Sequence, residues 1–304
     1  MSNIRATGMA VLCAAMWTGL ACDLSIQSDL LNGANSAPSP APDGIDPRNP
    51  NVERTSSRID FSGVRMIRID LPTGRVSVSQ AEGDADASLR VTESITAKGL
   101  SNDALNGFLT NSRVTAERSF VDESRLDLEA TVAPGLTDTD IAFDIRLVIP
   151  GGANLEIILA NGPVEVIDVV GNVEIHTANA PISVNHVQGG VIAETSERPI
   201  DILDVTGNVR AKTTAANITL RLAPPANGRV VAETTAAEIS MSIAQATAAA
   251  LSLSAPDGTV TANLSGFTVT NVATANGSLT GILNGGGGAI EATATGGEIT
   301  FAGM

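Results

Sequence analysis

Few groups in this chain can carry proton transfer or nucleophilic attack. It holds two histidines, His176 and His186, two cysteines, Cys13 and Cys22, and two lysines, Lys98 and Lys212. Four residues recur at one position of a repeat: His176, Glu194, Lys212 and Glu233. Imidazole, carboxylate and amine set side by side could move a proton α to a carboxylate, the chemistry of a polysaccharide lyase or epimerase. A carboxylate needs a second carboxylate close by or a desolvating pocket to be tuned for that task. A column on an open face offers neither, and no Trp, Tyr or Phe stands near it to stack a sugar ring. The same four residues read more simply as a ladder of alternating charges, each neighbouring pair worth about 0.2–1 kcal/mol. We therefore expect no catalytic residue, and the column stands as a speculative outer-face feature.

The remaining candidates lead to the same expectation. His186 has no second ligand at useful spacing, so no metal site is expected. Gly285 to Gly288 is not followed by Lys and Ser or Thr, so it is no phosphate loop, and no cofactor is expected. Thr177, Thr195, Thr213, Thr234 and Thr274 share the parity of inward apolar residues. Their hydroxyls should bond backbone at a corner rather than form an outward ice-binding array.

Cys22 is the exception. Arg5 precedes an uncharged run from Met9 to Ala21, too short to anchor across a bilayer, with small residues Gly19 and Ala21 before the cysteine. Residues 1–21 read as a signal peptide, and 18–22 (TGLAC) resemble a bacterial lipobox, which implies that Cys22 carries lipid. Cys13 leaves with the signal, so the mature chain keeps one thiol and no disulfide partner. Residues 22–57 are Pro-rich and read as an extended tether between membrane and domain. The plainer alternative is secretion with Cys22 as the first residue.

These residues must be positioned by an architecture poor in aromatics: six Phe, one Trp and no Tyr in 304 residues. The core has to be built from Val, Ile, Leu, Ala and Thr, which suits thin stacked layers. The formal charge of −15 argues on electrostatic grounds against a nucleic-acid partner, and none is expected. From residue 155 a repeat stacks without gaps: 155–166, 173–184, 191–202, 209–220, 230–241, 251–262, an eroded 272–281 and a closing 289–301. Each unit alternates with period two on both sides of a turn such as Asn161-Gly162, Asp257-Gly258 or Asn276-Gly277. Val173, Ile175, Ile182 and Val184 share the inward face; Glu174, His176, Ser183 and Asn185 share the outward one. The pattern predicts an all-β solenoid, a β-helix of rungs of about 18–21 residues hydrogen-bonded to one another. Residues 151–304 form its regular part. Residues 58–150 read as an irregular first part, with one short helix over 102–111 capped by Ser101.

The run from Phe143 to Val166, the unit 171–202 and the closing 296–301 (GGEITF) resemble the bacterial putative-adhesin domain family of exported or membrane-attached β-solenoids. The resemblance covers about residues 60–304. It implies architecture and brings no catalytic residues. The expectation is a non-catalytic, exported and lipid-anchored scaffold at the cell surface or in the periplasm. Its partner is an envelope or extracellular protein or polysaccharide. The alternatives are the β-helix lyase or epimerase above and an accessory protein of envelope stress.

Overall fold

A computed structural model describes residues 51–55, 59–60, 62–81, 88–97, 111–132 and 141–304. The signal segment 1–21, Cys22 and most of the 22–57 tether lie outside these residues, as does the expected 102–111 helix except its last position. Eight strands precede residue 150: β1 (Asn51–Thr55), β2 (Ile59–Asp60), β3 (Met66–Thr73), β4 (Val76–Gln80), β5 (Ser88–Ala97), β6 (Arg113–Arg118), β7 (Arg125–Thr131) and β8 (Ile141–Ile149). Ten more follow in pairs. They are β9 (Asn154–Asn161) with β10 (Val164–Val170), β11 (Val173–Asn179) with β12 (Ile182–Gln188), and β13 (Val191–Glu194) with β14 (Ile200–Val205). The series continues as β15 (Val209–Lys212) with β16 (Ile218–Leu222), and β17 (Arg229–Thr234) with β18 (Ile239–Ile243). The last six are β19 (Ala249–Ser254), β20 (Val260–Asn263), β21 (Val269–Ala275), β22 (Ser278–Leu283), β23 (Gly288–Ala294) and β24 (Ile299–Gly303).

The arms of each pair go to different sheets, so every pair is an arch, and the stacked arches form a β-solenoid. Sheet I runs β1-β5-β8-β4-β10-β12-β14-β16-β18-β24-β20, and sheet II runs β21-β22-β19-β23-β17-β15-β13-β11-β9-β3-β7-β6. From β9 to β18 the pairing is parallel and in phase: Leu155, Val173, Val191, Val209 and Val230 form one column, and Val164, Ile182, Ile200, Ile218 and Ile239 form another. All ten are at most 2% exposed, as the alternation demands.

The core keeps its cross-section by compensation. Two inward positions nine residues apart recur in each rung: Ile175 with Val184, Ala193 with Ile202, Ala211 with Leu220, Ala232 with Met241, Ala292 with Phe301. All are buried. As one side falls from Ile to Ala, the other grows from Val to Phe. A solenoid needs this, because a rung fatter or thinner than its neighbours would break the inter-rung bonds or leave a void.

Three corners close the rungs. Asn161-Gly162 and its counterparts join the arms. Asp168, His186 and Asp204, eighteen residues apart, all adopt left-handed φ of 52–57°, and this is where strict alternation breaks. Gly171, Gly189 and Gly207 form the third column. A Cβ on Gly189 would overlap the carbonyl oxygen of Gly171 one rung below, so the spacing of the rungs requires glycine there.

The stacking order departs from the expected sequence order at both ends. The closing segment is not the last rung: β23 lies between β17 and β19, and β24 lies between β18 and β20. Its register, Val230 against Ile290, is that of the other rungs. The eroded unit 272–281 is no rung. It crosses the two-residue loop Asn276-Gly277 of an antiparallel hairpin, β21–β22, laid on the edge of β19. Thr274 is therefore exposed and outside the threonine column. Asn-Gly suits a tight hairpin at least as well as an arch corner.

At the other end β8 does not lead onto β10. The arch β3–β4, turning at Gly74, stands between them with Ile67 against Leu155 and Val76 against Val164. Regular stacking thus includes residues 66–80, and β7–β8 forms a further rung outside it. β1 pairs antiparallel with β5, so paired strand begins within the span read as tether.

Candidate functional site

The outward residues of sheet II make two parallel columns because side chains alternate faces and the strands are in phase. One contains Glu156, Glu174, Ile192, Arg210, Val231 and Glu291; the other contains Ile158, His176, Glu194, Lys212, Glu233 and Thr293. His176 sits opposite Glu194, Glu194 opposite Lys212, and Lys212 opposite Glu233. The four candidates are side by side.

Their contacts differ from a simple ladder. His176 Nε2 lies 2.8 Å from Glu174 Oε1, and its Nδ1 lies 3.3 Å from Glu194 Oε2. Nε2 is within hydrogen-bond geometry of Glu174, while Nδ1 has only proximity to Glu194. Glu194 and Glu233 are spanned not by Lys212 between them but by Arg210 from the neighbouring column, at 3.6 and 3.9 Å. Among the described residues Lys212 has no carboxylate within 4 Å. The longer, forked guanidinium reaches diagonally across two rungs where the ammonium does not. Arg210 is the residue that spacing alone did not single out.

Along the first of these columns, and reaching Glu233 of the second, runs a groove of about 520 Å³ that crosses the rungs from Met66 to Arg229. Ile192 and Val231 lie in it, with Glu174, Arg210 and Arg229 around them. Ile192 is 37% exposed, high for a large aliphatic side chain on a strand. One wall of the groove is an asparagine ladder. Asn172 N–H donates to Asn154 Oδ1 (2.9 Å), Gly190 N–H to Asn172 Oδ1 (2.8 Å), and Arg229 N–H to Asn208 Oδ1 (2.8 Å). These amides satisfy the backbone between rungs at the corner preceding each strand. At position 190 the ladder has glycine, and a Cβ there would lie 3.3 Å from Asn172 Oδ1. The signal was present in the recurring Asn before Leu155, Val173 and Val209.

His186 does not stand alone. It takes the left-handed corner position between Asp168 and Asp204, and its Nδ1 lies 3.8 Å from Asp168 Oδ1. Asp and Asn tolerate that conformation better than most residues, so this column is explained by the turn. Among the described residues no three His, Cys, Asp or Glu side chains gather as a metal site. The threonines point inward at the arch corner. Thr177 and Thr195 donate to the Ala180 carbonyl (3.3 and 3.2 Å), Thr213 to that of Ser196 and Thr234 to that of Ala216.

No family model matches the chain, and no curated protein matches it. Among solved structures it is similar to a "putative cell adhesion protein" from Clostridium sporogenes, at 14% identity over 84% of this chain and 100% of that one, with TM-score 0.34. It is similar also to a "putative adhesin" from Bacteroides fragilis, at 9% identity over 84% and 97% of the chains, with TM-score 0.35. A third, a "putative adhesin" from Parabacteroides merdae, has 10% identity over 82% and 95%, with TM-score 0.25.

Proposed function

We propose that this chain is a non-catalytic binding scaffold of the cell envelope, and that its contact surface is the groove on the outer face of sheet II. The carrying observation is that groove: an aliphatic floor at Ile192 and Val231, a charged rim at Glu174, Arg210 and Arg229, and a length of several rungs. An extended protein segment fits it. Aliphatic side chains of the segment would cover Ile192 and Val231, and charges of either sign find a partner on the rim. A polysaccharide fits less well, since no aromatic ring lines the groove.

Export and attachment belong to the same proposal. The short apolar run, the lipobox-like ending and the Pro-rich stretch support a lipid on Cys22, with the tether lifting the solenoid off the membrane. Cys22→Ala then moves the protein into the soluble fraction. Labelled palmitate that never enters a processed, exported wild-type chain would overturn the anchor and leave the scaffold standing.

The groove is tested by placing a photoreactive residue at position 192, with a control at Ser183 on the outer face of sheet I. Irradiation in cells is expected to capture a protein segment at 192 and not at 183. Equal capture at both positions, or capture of carbohydrate at 192, contradicts the proposal.

A further inference from the structure

The rung formed by β23 and β24 occupies a slot that the rest of the chain builds. Its floor is β17 and β18; its roof is β19 and β20. Ile290, Ala292, Ala294, Ile299 and Phe301 fill the slot and are at most 2% exposed. The registers on the two sides agree, Val230 with Ile290 with Leu251, so the slot accepts one segment in one phase.

The connection into the slot has an unusual form. Leu283 of β22 and Gly288 of β23 flank Ala249 of β19 from opposite sides. The chain must therefore hop over β19, a distance of two strand spacings, about 9.6 Å. Asn284 is clamped on the near side. Its N–H donates to the Thr268 carbonyl (2.7 Å), its Oδ1 accepts from Thr268 N–H (2.9 Å), and its Nδ2 donates to the carbonyls of Gln245 and Thr247. Beyond it come Gly285, Gly286 and Gly287, all at left-handed φ. The hop is made by a three-glycine hinge between a fixed anchor and a buried segment.

We propose that this segment is exchangeable, and that the slot of one copy takes residues 288–303 of a second copy to give a reciprocally swapped dimer. The bonds formed are the same in either arrangement, so the swap costs chiefly the entropy of association. A dimer of this kind joins two solenoids near the β19–β22 end. It presents two grooves at once, which raises avidity without any new contact.

The hinge gives a direct test in the full chain. Deleting Gly285–Gly287 leaves two Cα steps between Leu283 and Gly288, a reach of about 7 Å. That is shorter than the hop, so a chain cannot fill its own slot. The variant is expected to run as a dimer by light scattering, with the Ile290 and Phe301 amides as protected from hydrogen exchange as in wild type. A monomer, with those amides protected or not, overturns the proposal.

A second measurement does not depend on the deletion. Val231→Cys plus Glu291→Cys places a cross-linkable pair on partnered positions of β17 and β23. Light and heavy isotope-labelled chains carrying this pair are mixed, unfolded and refolded together. In the dimer fraction the mixed-isotope 231–291 cross-link should rise from none to about half of the total. Cross-links of one isotope only, or no dimer fraction, mean that the segment stays in its own chain.

Discussion

At the scale of single residues, face decides consequence. Ile200 and Ile218 are fully buried in adjacent rungs of sheet I. Asp at either position buries an unpaired carboxylate and is expected to cost several kcal/mol in urea unfolding. Glu194→Ala and Lys212→Ala alter charges that water still reaches, Glu194 part-exposed and Lys212 exposed, and should each move stability by less than about 1 kcal/mol. Equal damage from both classes would mean the register is off by one residue. Adjacent glycines make a second contrast. Gly189→Ala drives a Cβ into the Gly171 carbonyl, whereas at Gly190 the nearest atom is a side-chain oxygen at 3.3 Å. Gly189→Ala is expected to lower the urea midpoint markedly and Gly190→Ala only slightly. Asp122 supplies the pH-dependent case. The Ser124 hydroxyl (2.6 Å) and amide (2.9 Å) both donate to its carboxylate and hold its pKa below the ordinary value. The folded carboxylate is thus favoured at neutral pH, and its contribution is lost only as pH falls through that lowered value. Exchange protection of the Ser124 amide should be constant between neutral and mildly acidic pH and collapse below the usual aspartate range. Loss of protection already in the titration range of histidine would contradict this.

At the scale of elements, the paired core positions make a coupled prediction. Ala211→Ile alone overpacks its rung, at a cost of about 1–3 kcal/mol. Adding Leu220→Val recreates the Ile175–Val184 combination found two rungs away and should recover most of that loss, as a double-mutant cycle by urea unfolding would show. Simple additivity would mean the two positions do not share space. The rung pattern itself was legible, because period-two alternation in phase every eighteen residues leaves one register for Val173, Val191 and Val209. The stacking order was not. Every rung presents the same two edges, so Val230 can pair equally with Leu251 or with Ile290, and no local feature marks which follows. The rung at 66–80 was obscured for a related reason: its neighbours in space, β7–β8 and β9–β10, both come after a long excursion of the chain. In the same way 272–281 kept the alternation of a rung while its Asn276-Gly277 loop folded it back as a hairpin.

At the scale of the whole molecule, the candidate site was half legible. Equal repeat positions placed His176, Glu194, Lys212 and Glu233 in one column, since register converts sequence spacing into adjacency. The groove was not, because its lining is gathered from several rungs at once and because Arg210 reaches across them. These are properties of three-dimensional neighbours rather than of any one unit. In the proposed function the groove makes contact with a partner, and His176, Glu194, Lys212 and Glu233 do no chemistry. The most direct test is a calorimetric titration of the segment captured at position 192 against three full-length proteins: wild type, Ile192→Asp plus Val231→Asp in the groove, and Glu194→Ala plus Lys212→Ala, two column residues that do not line it. The account predicts saturable binding by wild type, at least about tenfold weaker binding by the groove variant, a smaller and salt-sensitive loss in the column variant, and no heat after saturation. Undiminished binding by the groove variant would contradict it, as would continuing heat of turnover that the column variant abolishes.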